Sequence, residues 1–212
     1  MRLPRRVWLN LTCTAALLAS LLTSPLLAQP APWPAAREER ARKAREERLA
    51  YAASADYHPY DTRNRDSQKS VSDLLDQGKF PEAIAEAQKG LAVAPYDIDL
   101  LVLLAAAYRE SGDIANADKA REQWMALVDS ILRSGTGHDF ATAFQVISVA
   151  EEYAVMRLTG LHSEQQVLVA HEGSEFDVVT VKDPRTGTVR ELHFNVDLPK
   201  KWLNRQFAAP KK

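Results

Sequence analysis

Four residues carry most of the polar chemistry this chain offers: His138, Glu152, Asp177 and His193. Glu152 belongs to Glu151-Glu152-Tyr153, where paired carboxylates beside a tyrosine can serve acid–base work or hold a metal. A structural reading competes. Glu151 stands three residues after Ser148, where a carboxylate closes a capping box. Adjacent helical positions also point about 100° apart, so the two carboxylates do not converge. Tyr153 falls on the stripe Val149, Tyr153, Met156, a core pattern. Phe176-Asp177-Val178 and His193-Phe194-Asn195-Val196-Asp197 face each other across a hairpin. If residues 182 and 188 close its loop, Asp177 lies opposite His193, and such a pair can tune a base. Closure one residue away removes the pairing. His138-Asp139 follows Gly137 in a loop that can bind a cation, move a proton or simply face solvent.

Most other site chemistries lack their residues. The five histidines are His58, His138, His162, His171 and His193, and no two sit at i,i+3 or i,i+4. There is no His-Glu-x-x-His pair for zinc, no Gly-x-Ser-x-Gly elbow and no glycine-rich phosphate loop. Cys13 is the only cysteine. The expectation is therefore no catalytic constellation, no metal and no cofactor.

Cys13 also lies inside a segment with a destination. Arg2, Arg5 and Arg6 precede an apolar stretch from Val7 to Leu27, and Leu26-Leu27-Ala28 offers a cleavage site before Gln29. Residues 1–28 read as a secretory signal peptide, with a membrane anchor as the alternative. Cleavage leaves a periplasmic or secreted chain without cysteine, held by packing alone. The formal net charge of −1 becomes −4 when the three arginines leave. No basic bias remains to attract nucleic acid, and no membrane segment follows the signal.

Several elements must position the candidate residues. Residues 29–56 read as a flexible unit: a Pro-Ala-Pro-Trp-Pro spacer, then Arg37 to Arg48 as a solvated helix, polar all round, with Glu38–Arg42 and Glu39–Lys43 pairs. Tyr57-His58-Pro59-Tyr60-Asp61 is an extended entry whose tyrosines anchor the chain. Residues 57–134 carry two helical hairpins. Val71, Leu74 and Leu75 precede Gly78; Pro81 opens a helix burying Ala83, Ile84, Ala87 and Leu91. Past Pro95, Leu100, Leu101, Leu104 and Tyr108 form an inner face closed by Gly112, and the partner helix runs from Ile114 to Leu132. Gly78 and Gly112 lie 34 residues apart, as do Ala83 and Ala117, the period of tetratricopeptide-type hairpins. Two such hairpins need a cap.

Residues 135–212 supply it. Ser134-Gly135-Thr136-Gly137 breaks the helices, Ser148 caps a helix ending at Gly160, and strands cover Val167–Ala170, Phe176–Val181 and Val189–Val196. Asp183-Pro184-Arg185-Thr186-Gly187 turns the last hairpin, and Pro199 to Phe207 brings Trp202 and Phe207 as a lid. The predicted class is α+β: tetratricopeptide-like antiparallel helical hairpins packed on a small C-terminal antiparallel sheet with one helix, as one integrated unit.

With these residues in place, the chain resembles a family of exported bacterial proteins known only as a domain of unknown function. The resemblance spans about Tyr57 to Phe207. It rests on Tyr57-His58-Pro59-Tyr60-Asp61, the two hairpins, Asp129-Ser130-Ile131-Leu132 with Ser134-Gly135-Thr136-Gly137, and Thr142-Ala143-Phe144 leading to Val146-Ile147-Ser148. Glu151-Glu152-Tyr153, Phe176-Asp177-Val178 and Phe194-Asn195-Val196-Asp197 complete it. His193 departs from it, standing where a tyrosine is expected. The resemblance implies a shared fold and export, and no activity. The expected function is a non-catalytic module or scaffold binding a protein partner. The alternative is an enzyme or small-ligand binder with its site at the seam between hairpins and sheet.

Overall fold

The computed structural model describes residues 33–60 and 63–208; the signal segment, most of the proline spacer and Asp61 lie outside the described residues. Helix α1 spans Ala35–Ala52, α2 Arg63–Asp76, α3 Phe80–Val93, α4 Ile98–Glu110 and α5 Ile114–Leu132. Strand β1 is Phe144–Gln145, then come α6 Val149–Leu158, β2 His162–His171, β3 Ser174–Lys182, β4 Val189–Asn195 and α7 Asp197–Ala208. The fold is α+β, with antiparallel helical hairpins set against a C-terminal sheet.

The hairpins form where apolar spacing, caps and breakers agree. Asp97 caps α4 by accepting from the Leu100 amide at 3.0 Å, and Asp113 caps α5 through Asn116 at 3.1 Å. Gly78 and Gly112 adopt positive φ behind α2 and α4. Between the helices lie Val71, Ala83, Ala87, Leu100, Leu104, Ala107 and Ala120. Full burial of a side chain such as Leu100 is worth about 1.5–3 kcal/mol.

A second core joins helices to sheet. Ile98, Leu101, Leu127 and Ile131 meet Val155 and Met156 of α6 and Val179, Val181, Leu192 and Phe194 of the strands. The sheet order is β1-β4-β3-β2. The three long strands are antiparallel, as the sequence suggests, and two-residue β1 adds a parallel edge along β4. Two glycines make the chain reversal before β1 possible. A Cβ on Gly135 would stand 2.2 Å from the Thr142 carbonyl oxygen, and one on Gly137 would stand 2.4 Å from the Phe144 ring.

Helix α1 departs from the solvated helix read from sequence. Its stripe Ala41, Ala44, Arg48, Ala52 is buried. Arg48, 1% exposed, grips Glu151 in two bonds of 2.8 and 2.6 Å and donates to Ser130 Oγ at 2.9 Å. One end of the helix is fixed by Arg37, which makes two bonds of 2.7 and 2.6 Å to Asp129 of α5. Its surface pairs are also redistributed: Glu38 meets Arg133, and Arg42 reaches Glu39 and Glu46. Three alanines spaced three and four apart with an arginine show little amphipathicity on a hydropathy scale. They nonetheless let two helices approach closely, and the guanidinium finds its carboxylate at their end.

Candidate functional site: a cleft at the seam

A cleft of about 520 Å³ opens where the entry segment, the hairpins and α6 meet. Tyr51 at the end of α1, His58 and Tyr60 of the entry, Tyr96 before α4 and Tyr153 of α6 give it an aromatic lining. Its polar rim includes Arg65 and Gln68 of α2, Asp97 and the first turn of α6. Of the two entry tyrosines, Tyr57 anchors as expected, 1% exposed with its hydroxyl donated to the Ile147 carbonyl at 2.5 Å, whereas Tyr60 is 38% exposed. Tyr51 makes edge contact with Tyr57 at 5.7 Å between ring centres and tilts against Tyr96 at 5.2 Å.

Behind Tyr60 and Tyr153 lies a pair of carboxyl groups. Glu152 is wholly buried and Asp177 nearly so. The two carboxyl groups are joined through the Gln166 amide, which donates to both. Burial first, and then the Asp177 charge, push the Glu152 carboxyl up to about 9. Burial also raises Asp177, opposed by the hydrogen bond from Gln166. Gln166 Nε2 donates to Asp177 Oδ2 at 2.7 Å and to Glu152 Oε2 at 3.4 Å. Tyr153 holds that amide in place by donating to Gln166 Oε1 at 2.5 Å. Among the described residues Glu152 Oε1 has no hydrogen-bond partner.

The four sequence candidates therefore separate. Glu152 and Asp177 come together. Glu151 turns away from Glu152, with its carboxylate taking Arg48 and the Ile147 amide, the latter at 2.9 Å. The Asp177–His193 alignment does not form. Lys182 pairs with Val189 rather than with Thr188, so Asp177 lies opposite Phe194 and His193 opposite Val178. The reason is physical: this register sends Leu192 and Phe194 into the core with Val179 and Val181, whereas the other would send His193 there. His193 instead faces the outer side of the sheet. Its ring meets the edge of Phe140 at 4.9 Å, and Phe140 stacks on His171 at 4.3 Å. His193 Nδ1 is buried without a hydrogen-bond partner.

His138 is exposed on the loop covering that outer face. The loop is tied by Asp139, which accepts from the Thr142 amide and hydroxyl, both at 2.8 Å. These bonds hold the Asp139 carboxyl below its ordinary range. Among the described residues no cluster of three or more histidine, cysteine, aspartate or glutamate side chains could hold a metal ion.

Two further expectations change. Tyr153 is not core; it is 41% exposed and bonded to Gln166. Of the two aromatic residues assigned to a lid, Trp202 packs beside His58 and Tyr60, but Phe207 is 81% exposed. The cleft residues Tyr51, Tyr96, Gln68 and Asp97 carry no signal of their own in the sequence. The one signal for them was the cluster of tyrosines flanking breaks in helical periodicity.

Fold and site define a helical-hairpin module with an α+β cap and an aromatic cleft at their junction. The chain belongs to the family described as Domain of unknown function (DUF4919), whose model matches residues 44–205. Neither the curated proteins nor the solved structures compared with the chain give a match. Among the described residues no helix is long and apolar enough to cross a membrane.

Proposed function

We propose that this chain is an exported, non-catalytic interaction module that docks a protein partner in the seam cleft. The observation that carries this reading is the cleft itself: several tyrosines from separate elements converge on one concavity. Aromatic rings supply contact area at low entropic cost, the usual character of a recognition surface. Export rests on the basic and apolar pattern of residues 1–28. The test is in-cell photocrosslinking with p-benzoylphenylalanine at Asn64, on the cleft wall, and at Val189, on the exposed distal hairpin. A discrete adduct from position 64 in the envelope fraction, absent from 189, is expected. Equal adducts from both positions, or none, remove the proposal.

The carboxyl pair favours a second reading, an acid–base site for a small ligand. Glu152 is 0% exposed, however, so a substrate cannot touch its carboxyl without movement of α6 or β2. The geometry gives the pair a role in joining α6 to the sheet.

A further inference from the structure

Resting on the cleft-docking reading above, we infer that the cleft receives a basic side chain, lysine or arginine, presented by an extended segment of a polypeptide partner. The rings come first. Tyr51 touches both Tyr57 and Tyr96, and Tyr51 and Tyr96 are half-buried at the cleft wall. Ring faces carry negative charge density that attracts ammonium and guanidinium groups.

A carboxylate completes the arrangement. Asp97 lines the cleft beside Tyr96 and has no cationic partner among the described residues. Both its oxygens take Gln68 Nε2, at 3.0 and 2.9 Å, and one takes the Leu100 amide. The other acidic groups on the wall are matched: Glu151 by Arg48 and Asp99 by Arg157. Arg65 is the opposing charge on the rim. It is exposed on α2 one turn from Gln68, so it can swing to solvent or meet an acidic neighbour of the incoming residue.

The occupant is a side chain on a polypeptide because the cleft is open at the seam and wider than one amine needs. The remaining volume suits the flanking backbone of an extended chain.

Selection of a phage-displayed random heptapeptide library on the full chain tests this. Asp97→Asn is the informative variant, because asparagine caps a helix as well as aspartate, keeps one oxygen for the Leu100 amide and Gln68, and removes the charge. Enrichment of lysine or arginine is expected, with affinity of a selected peptide falling about tenfold in Asp97→Asn. Arg65→Gln should tighten the same peptide two- to threefold, and added salt should weaken it. Peptides enriched without basic residues would overturn this inference and leave partner docking standing. No enrichment at all would count against both. Basic peptides insensitive to Asp97→Asn place the contact elsewhere and also overturn it. So does full displacement by millimolar n-butylamine at unchanged strength, which would make the site one for free amines.

Discussion

Glu151 and Glu152 follow one another on α6 and are 3% and 0% exposed, yet they solve burial in different ways. Glu151 is met by the Arg48 guanidinium and the Ile147 amide, which both donate to its carboxylate. Glu152 finds no cation and faces Asp177, so it holds a proton. The 100° step between helical neighbours sends one toward α1 and α5 and the other toward the sheet. Burial alone does not set a carboxyl's state; what lies on its side of the helix does.

The comparison breaks hardest at Arg48. Replacing it with methionine fills similar space but strands Glu151 as an unpaired buried charge. A loss of about 3–5 kcal/mol is expected in urea unfolding at pH 7. Adding Glu151→Gln should recover most of it, since glutamine still accepts from the Ile147 amide without a charge. A single-variant loss below about 1 kcal/mol would mean that the ion pair only breaks even with an apolar contact.

Glu152 should show the opposite sensitivity, to pH. Its folded pKa is raised, so the stability it contributes is present below the unfolded carboxylate range and is lost as pH rises through the folded value. The window runs from about 4.5 to about 9. Between those limits the folded state holds a proton that the unfolded chain releases, so stability falls with rising pH. Glu152→Gln mimics the protonated form and donates to Asp177. It should flatten that fall and be more stable than wild type at pH 8 by roughly 2–3 kcal/mol. Parallel pH profiles for the two proteins would show that Glu152 does not hold the proton.

The sequence displayed one half of this comparison and hid the other. The Ser148–Glu151 capping relation and the divergence of Glu151 from Glu152 follow from helical spacing. So do the two hairpins, whose apolar positions, Pro81 and the glycine ends agree with one another. What Glu151 meets was illegible, because Arg48 lies 103 residues away on a helix that reads as uniformly polar. The strand register was ambiguous by one residue until core burial of Leu192 and Phe194 settled it. The cleft was hidden for a related reason: its rings come from four separate segments that only the fold brings together.

A partly exposed version of the Arg48 clamp sits at the other end of α1. Arg37 is 38% exposed while its partner Asp129 is 7% exposed. Solvent screening reduces what this pair contributes. Arg37→Ala should cost about 1 kcal/mol, with amide exchange rising in the first turns of α1 and not in its last. Equal exchange along the whole helix would mean that α1 docks as one rigid block.

The smallest effect should come from Tyr153→Phe, and it separates geometry from charge. The hydroxyl does not touch either carboxyl; it fixes the Gln166 amide so that Nε2 points at Asp177. Losing one partly exposed hydrogen bond costs about 0.5–1 kcal/mol. The informative readout is the titration. With Gln166 free to turn, Asp177 loses a donor that stabilises its charged form, so the pair binds its proton more tightly. The carbon-13 carboxyl shifts of Glu152 and Asp177 should then titrate at higher pH than in wild type. An unchanged titration beside the same small stability loss would mean that Gln166 is held by the carboxyl groups themselves. Tyr153 would then be only a surface contact of the cleft.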